Sequence, residues 1–307
     1  MTIMTKHAAK IVGELHAEDL RACMAAFQLA RNNTLRKMLF YFLGALILGI
    51  VLFALTGMSF WALLSIALLT AWGIVWQRFG SAGQQLGQSL LEAMAERSKA
   101  QFVPGRFSPP TWPRLAELLS HDTQSFRPRF FNLLRVGTGD NMQCQIFDAD
   151  IYQARGFRRG RRSVHVFEGQ FYQFPRATTS RGTTLFVTRG RKIAVPVQGP
   201  HRYEKLIPDN SAMKHAFDIY STDPAEARQL LEGSRLCQEL LQVAQAARRQ
   251  QVIALIEPDY ALLAIEGPMT PLRRFRLRSG IDASIERSGD YLRGTIAKAT
   301  SLAAALS

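Results

Sequence analysis

The sequence predicts an α+β fold, in which a transmembrane helical hairpin precedes a cytoplasmic domain with an antiparallel sheet and flanking helices. Three observations predict it. No charged residue or histidine occurs between Met38 and Gln77. Short β-rich segments separated by turn residues fill much of the stretch from Asn132 to Glu266. Helix-start signals surround Asp223-Pro224, which marks helices interspersed among strands rather than alternating with them.

Residues 1–37 read as an amphipathic helix. Ile11, Leu15, Leu20, Met24 and Phe27 fall mainly at helical spacing, with Glu14, Glu18, Asp19 and Arg21 among them. Residues 38–77 hold two apolar runs, Met38–Leu55 and Met58–Trp76, divided by Thr56-Gly57. A helix of about 18 residues rises roughly 27 Å, close to the thickness of a bilayer's hydrocarbon core. Both runs are apolar on every side, and Trp76 beside Gln77-Arg78 suits an interfacial anchor. Arg36-Lys37 precedes the first run, Arg78 follows the second, and the join is uncharged; the positive-inside rule then puts both termini in the cytoplasm. Neither run contains an ionisable residue, which argues against an ion or proton path. Small residues at Ala45/Gly49 and Ala67/Ala71 have the spacing of close helix approach and leave a homo-oligomer open.

Residues 78–103 continue as a helical stalk, which Pro104-Gly105, Pro109-Pro110 and Pro113 terminate. The cytoplasmic domain occupies 104–307. Within it Leu115–Leu119 reads as a short helix. Asn132–Val136 and Met142–Tyr152 read as strands about a turn at Gly137-Thr138-Gly139-Asp140. Ser163–Phe167, Gln170–Phe174, Thr184–Thr188, Lys192–Val197 and Phe217–Tyr220 are further strands. Arg189-Gly190-Arg191 is the turn between the third and fourth of these. Asp223 is the N-cap of a helix ending near Glu232, and a second helix runs from Ser234 to Arg248. Val252–Glu257 and Tyr260–Glu266 form a hairpin turning at Pro258-Asp259, and Thr270–Ser301 is mostly helical.

Several chemistries lack their signatures. Cys23, Cys144 and Cys237 are far apart, so no disulfide framework or zinc ribbon is expected. The histidines show no HxH, HxxxH or HExxH spacing, and there is no P-loop, dinucleotide fingerprint or GxSxG elbow; no metal or cofactor is expected.

The charge is uneven. The chain of 307 residues has a net charge of +14, and +10 of it falls between Gln153 and Lys205, where twelve bases meet only Glu168 and Glu204. The site expected to bind an anionic surface comprises Arg155, Arg158, Arg159, Arg161, Arg162, Arg189, Arg191 and Lys192, near turns and strand ends along one rim.

Three passages carry a resemblance. They are Val166-Phe167-Glu168-Gly169-Gln170-Phe171, the stretch Phe217-Asp218-Ile219-Tyr220-Ser221-Thr222-Asp223-Pro224-Ala225-Glu226-Ala227-Arg228, and Leu262-Leu263-Ala264-Ile265-Glu266-Gly267. In this order, behind two apolar runs, the chain resembles the bacterial domain-of-unknown-function family 3137 over Arg114–Leu272. The resemblance implies a domain tethered to the bacterial inner membrane. It implies no activity and no site residues. Read physically, Phe167 and Phe171 about Gly169 suggest a glycine bulge or tight turn, and Asp223 caps a helix.

The function expected from these observations is a membrane-tethered scaffold or interaction module. Its basic surface would dock on anionic lipid headgroups of the bilayer or on an acidic protein partner. An alternative is a membrane-bound enzyme assembled from His165, His201, His215, Asp218 and Glu168. A second is nucleic-acid binding, with Phe157, Phe171 and Tyr172 interleaved among the arginines; it ranks below lipid, because a bilayer is always at hand for a tethered domain.

Overall fold

A computed structural model describes residues 98–112, 125–137, 143–155, 162–176, 182–190, 202–232, 235–247, 250–267 and 281–306, with scattered positions between 32 and 96 and at 114 and 116. The chain divides into two compact units. One comprises Met1–Met94 with Pro271–Asp290, and its described residues are helical. The other, Ala95–Thr270 with Tyr291–Ser307, contains a nine-stranded antiparallel sheet.

The transmembrane hairpin and the placement in a bacterial inner membrane are corrected. Among the described residues no helix is long and apolar enough to cross a membrane. An apolar run supplies hydropathy, but a span also needs an unbroken helix of about 20 residues. Most of the residues of the two runs lie outside the described ones, as does the expected helix of 1–37 up to residue 31. The fold that stands in place of the expected hairpin-plus-domain is a large antiparallel sheet with helices.

The strands are β1 (Ala100–Phe107), β2 (Phe126–Val136), β3 (Cys144–Arg155), β4 (Arg162–Pro175), β5 (Thr184–Thr188), β6 (Glu204–Leu206), β7 (Phe217–Ser221), β8 (Val252–Ile256) and β9 (Tyr260–Glu266). The helices are α1 (Ser211–Ala216), α2 (Pro224–Leu231), α3 (Arg235–Ala247) and α4 (Ile281–Leu306). The sheet order is β1-β2-β3-β4-β9-β8-β5-β7-β6. The first four strands form a meander, and the late β8–β9 hairpin joins them to β5, β7 and β6. Every residue of β8 is buried and β9 is buried through its centre, which accounts for their unbroken apolar runs.

Two local devices differ from the sequence reading, and a third agrees with it. Pro104-Gly105 does not end a stalk: β1 starts at Ala100, and the pair occupies a bulge opposite Asn132, where an edge strand tolerates proline. The passage around Gly169 is one continuous strand, and its bulge lies at Val166 instead. Gly169 itself is required by the close approach of β9, since a Cβ there would lie 2.1 Å from the Ile265 carbonyl oxygen. In α2, Asp223 accepts from the Ala225 and Glu226 amides, with Pro224 in the first turn, as its position in the sequence indicates.

One sheet face carries the aromatic core. Phe107, Phe130 and Phe147 make edge contacts, Phe147 stacks on Phe171 with ring centroids 5.3 Å apart, and Trp112 packs on Phe126 and Phe130. The other face of β2–β4 is polar at its centre, and the Tyr291–Leu306 part of α4 meets it through Tyr291 and Lys298.

Candidate functional site

The arginine-rich segment begins where β3 ends. Register places Arg155 opposite Arg162 at the end of the β3–β4 ribbon. Arg158, Arg159 and Arg161 fall between them, outside the described residues, as do Arg191 and Lys192. Arg189 lies in the exposed turn after β5, where its guanidinium donates to the Lys214 carbonyl oxygen at 3.2 Å. The structure does not bring Arg189 to the ribbon end. Three strand spacings, through β9 and β8, separate β4 from β5. The pairing sets Arg189 level with Gly169, so it stands about 14 Å across the sheet and roughly 20 Å along it from Arg162. Arg189 thus stands apart from the ribbon end that Arg155 and Arg162 mark.

Two arginines that sequence reasoning missed flank this ribbon. Arg127 and Arg129 are exposed on β2, opposite Tyr152 and Asp150. Their signal was available in the alternation of Phe126-Arg127-Pro128-Arg129-Phe130, with apolar and basic positions at period two.

The polar face beside them is built by two bulges. In β2, Asn132 and Leu133 together oppose Phe147, and Asn132 adopts φ 58°. Its amide thereby donates to Asp148 Oδ2 at 2.9 Å, while Gln170 Nε2 donates to Asp148 Oδ1 at 3.3 Å. The Gln170 amide also hydrogen-bonds the Tyr291 hydroxyl, and the Tyr172 hydroxyl donates to Gln170 Oε1 at 3.2 Å. Burial pushes the Tyr172 phenol well above its ordinary range, so it stays a donor.

In β4 the extra residue is Val166. Ile151 pairs with Phe167 and Tyr152 with His165, so the bulge moves His165 off the Phe167 face and onto that of Asp150 and Glu168. His165 Nε2 then lies 3.4 Å from Asp150 Oδ1 and 3.8 Å from Glu168 Oε2. Its ring meets Tyr152 edge-on at 5.1 Å, and the Arg129 guanidinium sits over Tyr152 at 5.8 Å. Asp148 and Asp150 are only 1% and 2% exposed, whereas the His165 side chain is 43% exposed. A buried carboxylate needs such partners, because desolvating an unpaired charge costs several kcal/mol.

Of the residues expected in an assembled enzyme site, His165 and Glu168 converge, around an Asp150 that the sequence reading did not select. The others are elsewhere. His215 bonds the Ser211 carbonyl oxygen within α1, and Asp218 pairs with Lys205 at 2.7 Å on β6 and β7. His201 lies outside the described residues. No group of three metal-ligating side chains is placed to hold an ion among the described residues. The aromatic residues expected to stack on nucleic-acid bases are core instead: Phe171 is 1% and Tyr172 0% exposed, and Phe157 lies outside the described residues.

No family model matches the chain, and no curated protein matches it. Among solved structures, the chain is similar to the mycobacterial trehalose monomycolate transport factor A, TtfA, with 11% identity and a TM-score of 0.36, over 67% of this chain and 94% of that one.

Proposed function

We propose that the chain is an interaction module that grips an acidic protein partner with the arginine-rich end of the β3–β4 ribbon. The observation that carries this reading is the register of Arg155 opposite Arg162. Five arginines and no acid fall within residues 155–162, a local excess of positive charge. Such a local excess suits a polyanion.

The residue type supports a protein partner over a lipid surface. All five cations are arginine, whose planar fork meets a carboxylate with two parallel hydrogen bonds. Attraction to an anionic leaflet counts charges and would be served equally by lysine. Base stacking, which single-stranded nucleic acid would use, loses Phe171 and Tyr172 to the core.

The test uses the full chain against polyglutamate, phosphatidylglycerol vesicles and single-stranded RNA at several salt concentrations. Saturable, salt-sensitive binding to polyglutamate, weakened at least about tenfold by Arg155→Gln with Arg162→Gln, is the expected result. Preference for vesicles or for RNA would replace the acidic-protein reading with the corresponding one, and binding unchanged by the double substitution would remove the ribbon end from it.

A further inference from the structure

We infer that β1 is an open sheet edge that takes an extended segment of a protein partner as an added strand, and that this segment alternates apolar with acidic residues. β1 ends the sheet order, and no described strand lies on its outer side. Gln101, Pro104, Gly105 and Arg106 are exposed along it, and a Cβ built on Gly105 would meet nothing within 4 Å. An edge strand offers its outward amides and carbonyls to a strand that can reach them. Main-chain bonding of this kind gives affinity for an extended peptide, and the peptide's alternate side chains give selectivity.

The two faces of β1 define the side chains it would accept. On one face Val103 and Phe107 pack against the aromatic core yet stay only half-buried, with Phe107 edge-on to Phe147. The core therefore runs to the sheet's edge and is left partly open there. Apolar residues at every second position of an added strand would cover it, since side chains on one face recur with period two. Arg106, next to Phe107 in the strand, points to the other face and is exposed. β1 and β2 together carry Arg106, Arg127, Arg129 and Arg135, all exposed, and no acidic residue. Asp148 and Asp150, on the next strand, are buried. The edge is thus positive, and an acidic residue beside Arg106 would meet it. A second copy of this chain would bring the same cations together, so the sign of the edge favours an acidic partner over self-pairing.

Pro104 fits the same role. Ala100–Val103 pair in unbroken register with Leu133–Val136, and the register shifts after Val103. Proline offers no amide and Gly105 stands at φ 101°, so a long flat strand cannot zip along the whole edge. The regular outer ladder is confined to Ala100–Val103, with Arg106 close by to select for charge. The edge is separate from the arginine-rich ribbon end: Phe107 is level with Ala149, roughly 20 Å along β3 from Arg155.

The full chain is titrated with a capped peptide of alternating Val and Glu as long as β1. Binding should be saturable and should slow amide exchange within residues 100–103 by at least about tenfold at saturation. Arg106→Glu should weaken it about three- to tenfold, and a Val-Lys peptide should not bind. The Val-Glu peptide N-methylated at every residue keeps its charge but has no backbone donor, and should give no protection. Absence of binding, or equal binding of the methylated and unmodified peptides, would overturn the edge. So would dimerisation of the chain through residues 100–107 that excludes the peptide. Protection at residues 152–155 and 162–165 without protection at 100–103 would also overturn it, while leaving the ribbon reading intact. Protection at 100–103 in a chain that does not bind polyglutamate would leave the edge standing and sink the ribbon reading.

Discussion

Asn132 stands at φ 58°, and its side chain donates to the buried Asp148. Two costs can be separated there. Asn132→Gly removes the hydrogen bond but fits the left-handed backbone, whereas Asn132→Ala removes the bond and adds backbone strain of about 1 kcal/mol. Alanine should therefore destabilise more than glycine by about that amount in denaturant unfolding, although glycine usually weakens a strand. Lys298 offers a test with a sign. Its ammonium lies over the Tyr172 ring at 5.8 Å, and burial lowers its pKa below the ordinary lysine value. The folded state thus holds fewer protons than the unfolded one between those two values, so stability rises with pH across that window. Below it the burial cost is fully present. Lys298→Met keeps the apolar stem and removes the charge; it should raise Tm at pH 7 by about 2–4 °C, less what the cation–π contact returns, and flatten the alkaline rise.

The junction of β4 with β9 is the element on which the sheet's continuity depends, because β9 joins the first meander to the later strands through β8. At Gly169 the two backbones approach so closely that a Cβ would meet the Ile265 carbonyl oxygen at 2.1 Å. Backbone cannot swing aside as a flexible side chain does, so Gly169→Ala should lower stability by about 2–3 kcal/mol, read as a fall in the denaturant midpoint at unchanged slope. The same junction shows what was legible in the sequence. Hairpins closed by short turns, such as β8–β9 about Pro258-Asp259, could be read from alternation and turn chemistry. The Asp223 cap could be read because its partners are two and three residues away. Pairing of Gln170 with Ile265 could not, since nothing local in either strand encodes a partner so distant in sequence. Bulges were also hidden: Val166 looks like any strand residue, yet its insertion decides that His165 meets Asp150. The reading of an uncharged run as a membrane span is overturned by the described residues, among which no helix is long and apolar enough to cross a membrane.

At the scale of the molecule, the question is whether the arginine-rich ribbon end serves the fold at all. β2 accompanies β3 only as far as Gln153, and β9 accompanies β4 only as far as Gly169. Beyond Ala154 and Ser163, neither strand of the ribbon has another described strand beside it. The buried core residues of β3 and β4 end at Ile151 and start at Phe167, so none lies in this outer part. A protein that needed only the sheet would dispense with it, and would also avoid opposing Arg155 to Arg162. Replacing residues 155–162 by Asn-Gly would close β3 and β4 with a two-residue turn suited to their twist. It would remove five arginines and take the net charge from +14 to +9. If the ribbon end is a binding device, stability should change by no more than about 0.5 kcal/mol, the range of ordinary surface substitutions. Polyglutamate affinity should fall at least about tenfold, and its dependence on salt between about 50 and 200 mM should become shallower, since fewer counterions are exchanged on binding. Calorimetry and salt-dependent titration on the same sample separate the two quantities. A large loss of Tm with unchanged binding would make the arginines structural, and would place the anion-binding charge elsewhere on the sheet.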